Sequence, residues 1–156
     1  MSFAFQSLVR PQLQYAAAAW DPHIEINITK IEAVQRRAAR FVKNDYRQTS
    51  SVSFILSELK WAPLADRRRL ARLRIFHKAI NSDENEVSLP IDQLRQHDRN
   101  TRSSDDLTFI TIPARTDAYK YSFMPRTLRD WNSLPLLYRA QPVTSAFINT
   151  LKLTHV

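Results

Sequence analysis

The sequence contains no cysteine and no glycine. Without cysteine there is no disulfide and no thiolate for a metal. The missing glycine excludes more. At average usage of about 7%, a chain of this length carries about 11 glycines. Phosphate-cradling loops, dinucleotide-binding turns and nucleophile elbows need glycine for close backbone approach or positive φ. None of them can be built here in its usual form. Helix ends must use asparagine or aspartate instead, and Asn44 and Asn81 stand where such caps are wanted. No apolar run approaches the ~20 residues of a membrane span. The N-terminal MSFAFQSLVR lacks a charged region ahead of its apolar stretch, which argues against a secretory leader. The expected compartment is therefore intracellular, nuclear or cytoplasmic.

What is present is positive charge. The formal net charge is +8 over 156 residues, with 44% hydrophobic and 24% charged residues. The apolar content is that of an ordinary globular protein, and the length suits one domain or two small ones. A basic balance of this size favours polyanionic partners, meaning nucleic acid or an acidic membrane surface.

The pattern along the chain is mainly helical. Residues 3–9 and QLQYAAAAW read as a kinked pair of short helices around Pro11, ending near Asp21 and Pro22. Residues 24–43 form the clearest helix, with Ile28, Ile31, Val34, Ala38, Phe41 and Val42 recurring at three- and four-residue steps. Arg36, Arg37, Arg40 and Lys43 fall on the other side of its wheel. Thr49, Ser50 and Ser51 offer caps for a shorter helix with the stripe Val52, Ile55, Leu56 and Leu59. WAPLADRRRLARLRIFHKAIN opens on the start signals Pro63 and Asp66 and buries Leu70, Leu73, Phe76 and Ile80. Arg67, Arg74 and Lys78 line a different face of it over about 16 Å, and Arg68 and Arg72 make a second row.

From Ser82 to Asp106 the chain turns polar and reads as a linker between a region 1–81 and a region 107–156. LTFITIP alternates with β-branched residues, as a strand does, and ARTD is placed to turn it back onto AYKYSF as a short β-hairpin. Ser122 is placed to cap a helix through Asn132, and PVTSAFINTLKL to form a final helix capped by Thr144 or Ser145.

No constellation carries catalysis. His23, His77, His97 and His155 are scattered, without ligand spacing, so no metal or cofactor is expected. His77 lies at the edge of an apolar helix face, which suggests partial burial. Asp105 and Asp106 lack the rigid apolar flanks of a two-metal hairpin and read as a solvated loop. The cationic rows have a plain reading, solvated helix faces, and a functional one, bidentate guanidinium contacts to phosphate. RRRLAR at 67–72 also fits a nuclear import signal, and the helices fit an amphipathic membrane-surface role. The second is weakened because both apolar faces are needed for a core.

The stretch YKYSFMPRTLRDWNSLP, residues 119–135, poses the same choice. Tyr119, Tyr121 or Trp131 could stack bases while Arg126 and Arg129 hold phosphate. Alternatively those rings are the main apolar mass of a small C-terminal unit, which needs them inside to fold without disulfide or metal. The second reading is preferred, with Arg126 and Arg129 left exposed.

Four blocks, SLVRPQLQYAAAAWDPH, KIEAVQRRAARFVKNDYRQTSSV, LADRRRLARL and ARTDAYKYSFMPRTLRDWNSLP, together resemble one family in order and spacing. They look like the tail of the reverse transcriptase polyprotein of LINE-type, jockey-like non-LTR retrotransposons, an RNA-directed DNA polymerase encoded by a transposable element. The resemblance implies a helical, thumb-like bundle over 1–81 that grips template–primer, then a C-terminal segment. The palm with its catalytic aspartates, and the endonuclease, would lie upstream of Met1, so the expected chain is a non-catalytic fragment. Its expected partner is nucleic acid, RNA or RNA–DNA hybrid, and possible further contact is with the missing palm; no membrane is expected. The expected binding residues are Arg36, Arg37, Arg40, Lys43, Arg67, Arg74, Lys78, Arg126 and Arg129. The alternative is an inert structural or protein-docking remnant.

Overall fold

A computed structural model describes residues 2–47, 49–81, 89, 94 and 107–153. They form α1 (Ser2–Ala4), a π-helix (Phe5–Val9), α2 (Arg10–Gln14), α3 (Ala17–Trp20), α4 (Glu25–Lys43), α5 (Val52–Glu58) and α6 (Leu64–Asn81). After the polar stretch come α7 (Asp117–Lys120), α8 (Phe123–Asn132), α9 (Leu136–Arg139) and α10 (Thr144–Leu153). The fold is mainly α, as the periodicity predicts. Contacts divide the chain into two compact units, Met1–Arg68 and Arg69–Val156. The division falls inside α6 and not at the polar stretch, because Leu73 and Phe76 belong to the core of the second unit. Of the expected linker 82–106, only Leu89 and Leu94 are described, and both pack against that core; the rest lies outside the described residues.

In the first unit, the register change ahead of Pro11 has a local cause. Proline has no N–H for the carbonyl four residues back, and its ring crowds that carbonyl. The preceding turn widens, and the Arg10 N–H reaches the Phe5 carbonyl five residues back. QLQYAAAAW is not one helix: Ala16 takes a left-handed conformation, φ 47°, and separates α2 from α3.

The core of this unit is Phe5, Ala39, Ile55 and Trp61, flanked by Ala38, Val42, Leu56 and Leu59. Phe5 and Trp61 stack with ring centroids 4.6 Å apart. The buried stripe of α4 is rotated from the expected one. Gln35 and Ala39 are buried, Ile28, Ile31, Ala38 and Val42 are half-buried, and Val34 and Phe41 are exposed. Small Ala39 permits close approach, and Gln35 meets the cost of burying its amide by donating to the Ala62 carbonyl at 3.1 Å. Glu32 accepts from the Ala65 N–H at 2.8 Å and so closes an otherwise open donor at the start of α6.

Helix ends in this unit are made without glycine. Asn44 takes φ 52° after α4, with the Asp45 N–H on the Arg40 carbonyl and the Asn44 N–H on the Phe41 carbonyl. Lys60 takes φ 53° after α5, with the Trp61 N–H on the Leu56 carbonyl and the Lys60 N–H on the Ser57 carbonyl. Both are Schellman closures with the left-handed position filled by a residue other than glycine. Ser51 caps α5, accepting from the Phe54 N–H at 3.4 Å.

The second unit is built around Trp131, which is fully buried with Leu73, Phe76, Phe109, Leu128, Leu134, Phe147 and Leu151. Phe76 meets the indole edge-on at 5.2 Å, and the indole N–H donates to the Leu107 carbonyl at 2.8 Å. The expected β-hairpin is not formed. Residues 117–120 are helical, because Thr116 caps them by accepting from the Tyr119 N–H. Residues 107–113 form no strand beyond an isolated bridge at Phe109, whose N–H also donates to the side-chain amide of Asn132 at 3.2 Å and whose carbonyl accepts from it at 2.7 Å. Ser122 stands at the start of α8, but its hydroxyl donates to the Tyr119 carbonyl rather than capping.

Candidate nucleic-acid interface

α4 supplies the most open cationic surface. Its last eleven residues, 33–43, hold four cations and no carboxylate. At 100° per residue Arg36, Arg40 and Lys43 fall within about 60° of one another, and Arg37 lies another 60° round. Gln35, Ala39 and Val42 lie about 100° to one side; the first two are buried and Val42 half-buried, while Arg36 and Arg37 stay exposed. Arg36 and Arg37 are exposed, with no partner among the described residues. Arg40 is half-buried and donates through one Nη to the Arg47 carbonyl at 3.0 Å. Lys43 pairs with Glu58 at 3.1 Å, both being well exposed. A pair in that position contributes little, about 0–1 kcal/mol, so Lys43 can exchange its carboxylate for a phosphate.

The loop after α4 is tightly held. Asp45 accepts from Arg47 Nε at 3.0 Å and from Nη2 at 3.1 Å. The Arg47 contact foremost, with Ser50 second, holds the Asp45 carboxyl well below the usual carboxylate range. The same pairing raises the Arg47 guanidinium above its ordinary value.

The remaining expected contacts fare differently. Arg67, also in the first unit, is half-buried, and its Nε is buried without an acceptor. Burial foremost, and then repulsion from Arg10, lowers its pKa. Arg74 and Lys78, in the second unit, are exposed. Arg126 is half-buried. Arg129 donates to the Lys120 carbonyl at 2.8 Å and lies 5.5 Å from the Tyr121 ring centroid, so much of its donor set is spent on its own unit. Trp131 is buried and takes no base; Tyr119 remains about half exposed.

The second row on α6 is internal. Arg68 is 1% exposed and donates to Asp21 at 2.8 Å within the first unit. Arg72 is 3% exposed and donates to Asp130 at 2.7 Å within the second, where Arg69 also approaches Asp130 at 3.6 Å. Burial is the main cause lowering both the Arg68 and the Arg72 pKa. Arg139 is likewise buried, donating to the Leu107 carbonyl and the Thr108 hydroxyl. With Arg68 and Arg72 inside, RRRLAR does not present the continuous basic run that an import signal requires. The sequence gives no sign of these pairs, whose carboxylates lie 47 and 58 residues away.

His77 is fully buried, deeper than its sequence position suggests. It stacks on Phe147 with centroids 4.3 Å apart, and its Nε2 lies 2.7 Å from the Gln141 carbonyl. A carbonyl only accepts, so Nε2 carries the proton and Nδ1 accepts from the Thr144 hydroxyl at 3.0 Å. α10 begins at Thr144, so neither Thr144 nor Ser145 stands at its cap position. Burial foremost lowers the His77 pKa, offset in part by the Gln141 contact.

Among the described residues, no group of three His, Cys, Asp or Glu side chains is placed to hold a metal. Among them, too, no helix is long and apolar enough to cross a membrane. Compared with family profiles, curated proteins and solved structures, the chain matches none.

Proposed function

We propose that this chain is a non-catalytic part of a non-LTR retrotransposon reverse transcriptase that binds template–primer nucleic acid without sequence preference. The family assignment rests on the four sequence blocks described above. The binding role rests on one observation, the run of four cations on the C-terminal half of α4, of which Arg36, Arg37 and Lys43 are exposed and Arg40 is half-buried. Arg36, Arg37, Arg40 and Lys43 are the proposed contacts, with Arg74 and Lys78 as separate candidates in the second unit. Arg67, Arg126 and Arg129 are demoted by half-burial or by internal hydrogen bonds. Polymerase chemistry is not proposed for this chain.

Three to four phosphate contacts give a slope of log affinity against log salt near −3 on a duplex, at roughly −0.9 per contact. A salt titration with a short RNA–DNA hybrid reads this directly. The combined substitution Arg36→Gln, Arg37→Gln and Arg40→Gln is expected to flatten the slope by two to three. Undetectable binding at low salt, or an unchanged slope in the variant, refutes the proposal.

A second reading is favoured by the apolar side chains on the first unit. Phe3 and Tyr15 are 80% exposed, and Leu8 and Ile26 are about two-thirds exposed. Such a surface suits protein docking. It predicts concentration-dependent self-association in size-exclusion chromatography together with no affinity for oligonucleotides.

A further inference from the structure

The C-terminal end of α4, the segment after it and α5 line an open cleft of about 520 Å³. Its walls include Lys43, Asp45, Tyr46, Arg47, Phe54 and Glu58. Two features set it apart from an ordinary surface hollow. Tyr46 is 60% and Phe54 63% exposed, so two aromatic rings are held out where solvent reaches them. The backbone carrying Tyr46 is fixed on both sides, by left-handed Asn44, the Asp45–Arg47 fork and the Arg40 bond to the Arg47 carbonyl. Tyr46 is thus presented from a braced backbone and Phe54 from α5, at little further entropic cost.

Charge decides what fits. Each carboxylate of the cleft is already matched, Asp45 by Arg47 and Glu58 by Lys43. The hollow is close to neutral and aromatic, whereas the α4 face leading into it is cationic. Lys43 belongs to both, standing on the stripe with Arg36 and Arg40 and also lining the cleft. From Arg36 to Lys43 the stripe runs about 10 Å along the helix. A ligand that matches has a flat, uncharged ring beside a chain of anionic groups.

We propose that the cleft accepts an unpaired nucleotide of a single-stranded nucleic acid. Its base stacks on Tyr46 or Phe54, its phosphate takes Lys43 from Glu58, and the neighbouring phosphates follow Arg40 and Arg36. Base–aromatic stacking is tolerant of sequence because every base has a π-face. This inference rests on the nucleic-acid reading above and adds that single strands are preferred at this site, since paired bases are not free to enter.

The test uses the full chain with two probes: a short single-stranded RNA carrying a fluorescent adenine analogue, and an RNA–DNA hybrid of the same length. Tyr46→Ala with Phe54→Ala is expected to weaken single-strand binding about tenfold and hybrid binding less than about twofold. Wild type is expected to quench the analogue on binding, and the variant to lose that quenching. Arg36→Gln with Arg37→Gln is expected to weaken both probes while leaving the quenching at saturation intact. Both rings are more than half exposed, so the aromatic variant is expected to keep its thermal unfolding profile and its hybrid affinity. If both probes bind but the aromatic variant loses neither affinity nor quenching, or loses both affinities equally, the cleft assignment is overturned and the nucleic-acid reading stands. If neither probe binds at low salt, or only anionic vesicles do, both are overturned.

Discussion

Replacing Lys60 by glycine is expected to make the protein more stable. Lys60 closes α5 with φ 53°, and two closing hydrogen bonds depend on that conformation, Trp61 to Leu56 and Lys60 to Ser57, each 3.0 Å. A residue with a Cβ is strained there by about 1–2 kcal/mol. Glycine relieves the strain but brings extra unfolded-state entropy, about 0.5–1 kcal/mol. The difference leaves a gain of roughly 0.5–1 kcal/mol. In urea, with a slope of about 2 kcal/mol per molar, the midpoint rises by roughly 0.3–0.5 M. Trp61 lies in the core with Phe5 and contributes, with Trp20 and Trp131, to the fluorescence that follows unfolding. Ala16→Gly, at φ 47°, is expected to move in the same direction. Asn44→Ala is the opposite control: asparagine tolerates the left-handed region and alanine does not, so the midpoint falls. A lower midpoint for Lys60→Gly, or no difference between it and Asn44→Ala, refutes the strain argument.

Asp130→Ala removes the carboxylate to which buried Arg72 donates at 2.7 Å and is expected to cost about 1–3 kcal/mol in urea unfolding. Arg72→Met combined with Asp130→Leu is expected to recover most of that loss. His77 is held below its ordinary value of 6.5, so the unfolded chain binds its proton first as pH falls. Its contribution is complete above about pH 6.5, declines below it by at most about 1.4 kcal/mol per pH unit, and is gone once the pH is below the folded value. Comparing the urea midpoint with that of His77→Gln from pH 7.5 down to 5 isolates this slope, and parallel profiles refute it. Glu58→Gln removes the carboxylate that Lys43 has to leave and is expected to raise oligonucleotide affinity up to about fivefold with the slope of its salt dependence unchanged, measured as for the wild type.

Because three- and four-residue apolar steps are a local property, helical character was legible from Glu25 to Asn81, though not at Asp117–Lys120, which read as a hairpin arm. Rotation of a helix about its own axis was not. In α4 the expected stripe included Val34 and Phe41, yet the buried positions are Gln35 and Ala39. A glutamine reads as surface until its partner, the Ala62 carbonyl, is in place. Strand propensity at 107–113 was read as one arm of a hairpin, but among the described residues only an isolated bridge at Phe109 forms. The Asn132 amide bonds both the N–H and the carbonyl of Phe109. Asn44 was recognisable as a helix end in a chain without glycine, whereas nothing at Lys60 or Ala16 advertises a left-handed residue. The Trp131 cluster was legible on energetic grounds, since a small unit without cross-links has to bury its largest rings.

Net charge was the least reliable of these guides, for a physical reason. RRRLAR in α6 is the densest cationic run in the sequence, yet Arg68 and Arg72 lie inside the protein against Asp21 and Asp130. Buried pairs of this kind add little net stability over apolar side chains of equal volume. What they add is a penalty on alternatives. If α6 turned or slid by one residue, a guanidinium would be left in the core with no carboxylate, at a cost of several kcal/mol. Each pair ties α6 to a distant point in the sequence and thereby fixes its rotation, which also fixes which of its cations face solvent. α4 has no such pair on its last three turns; its rotation is set by Ala39 and Gln35 instead. Arg36 and Arg37 are exposed and hold nothing among the described residues, and that leaves them available to an external anion.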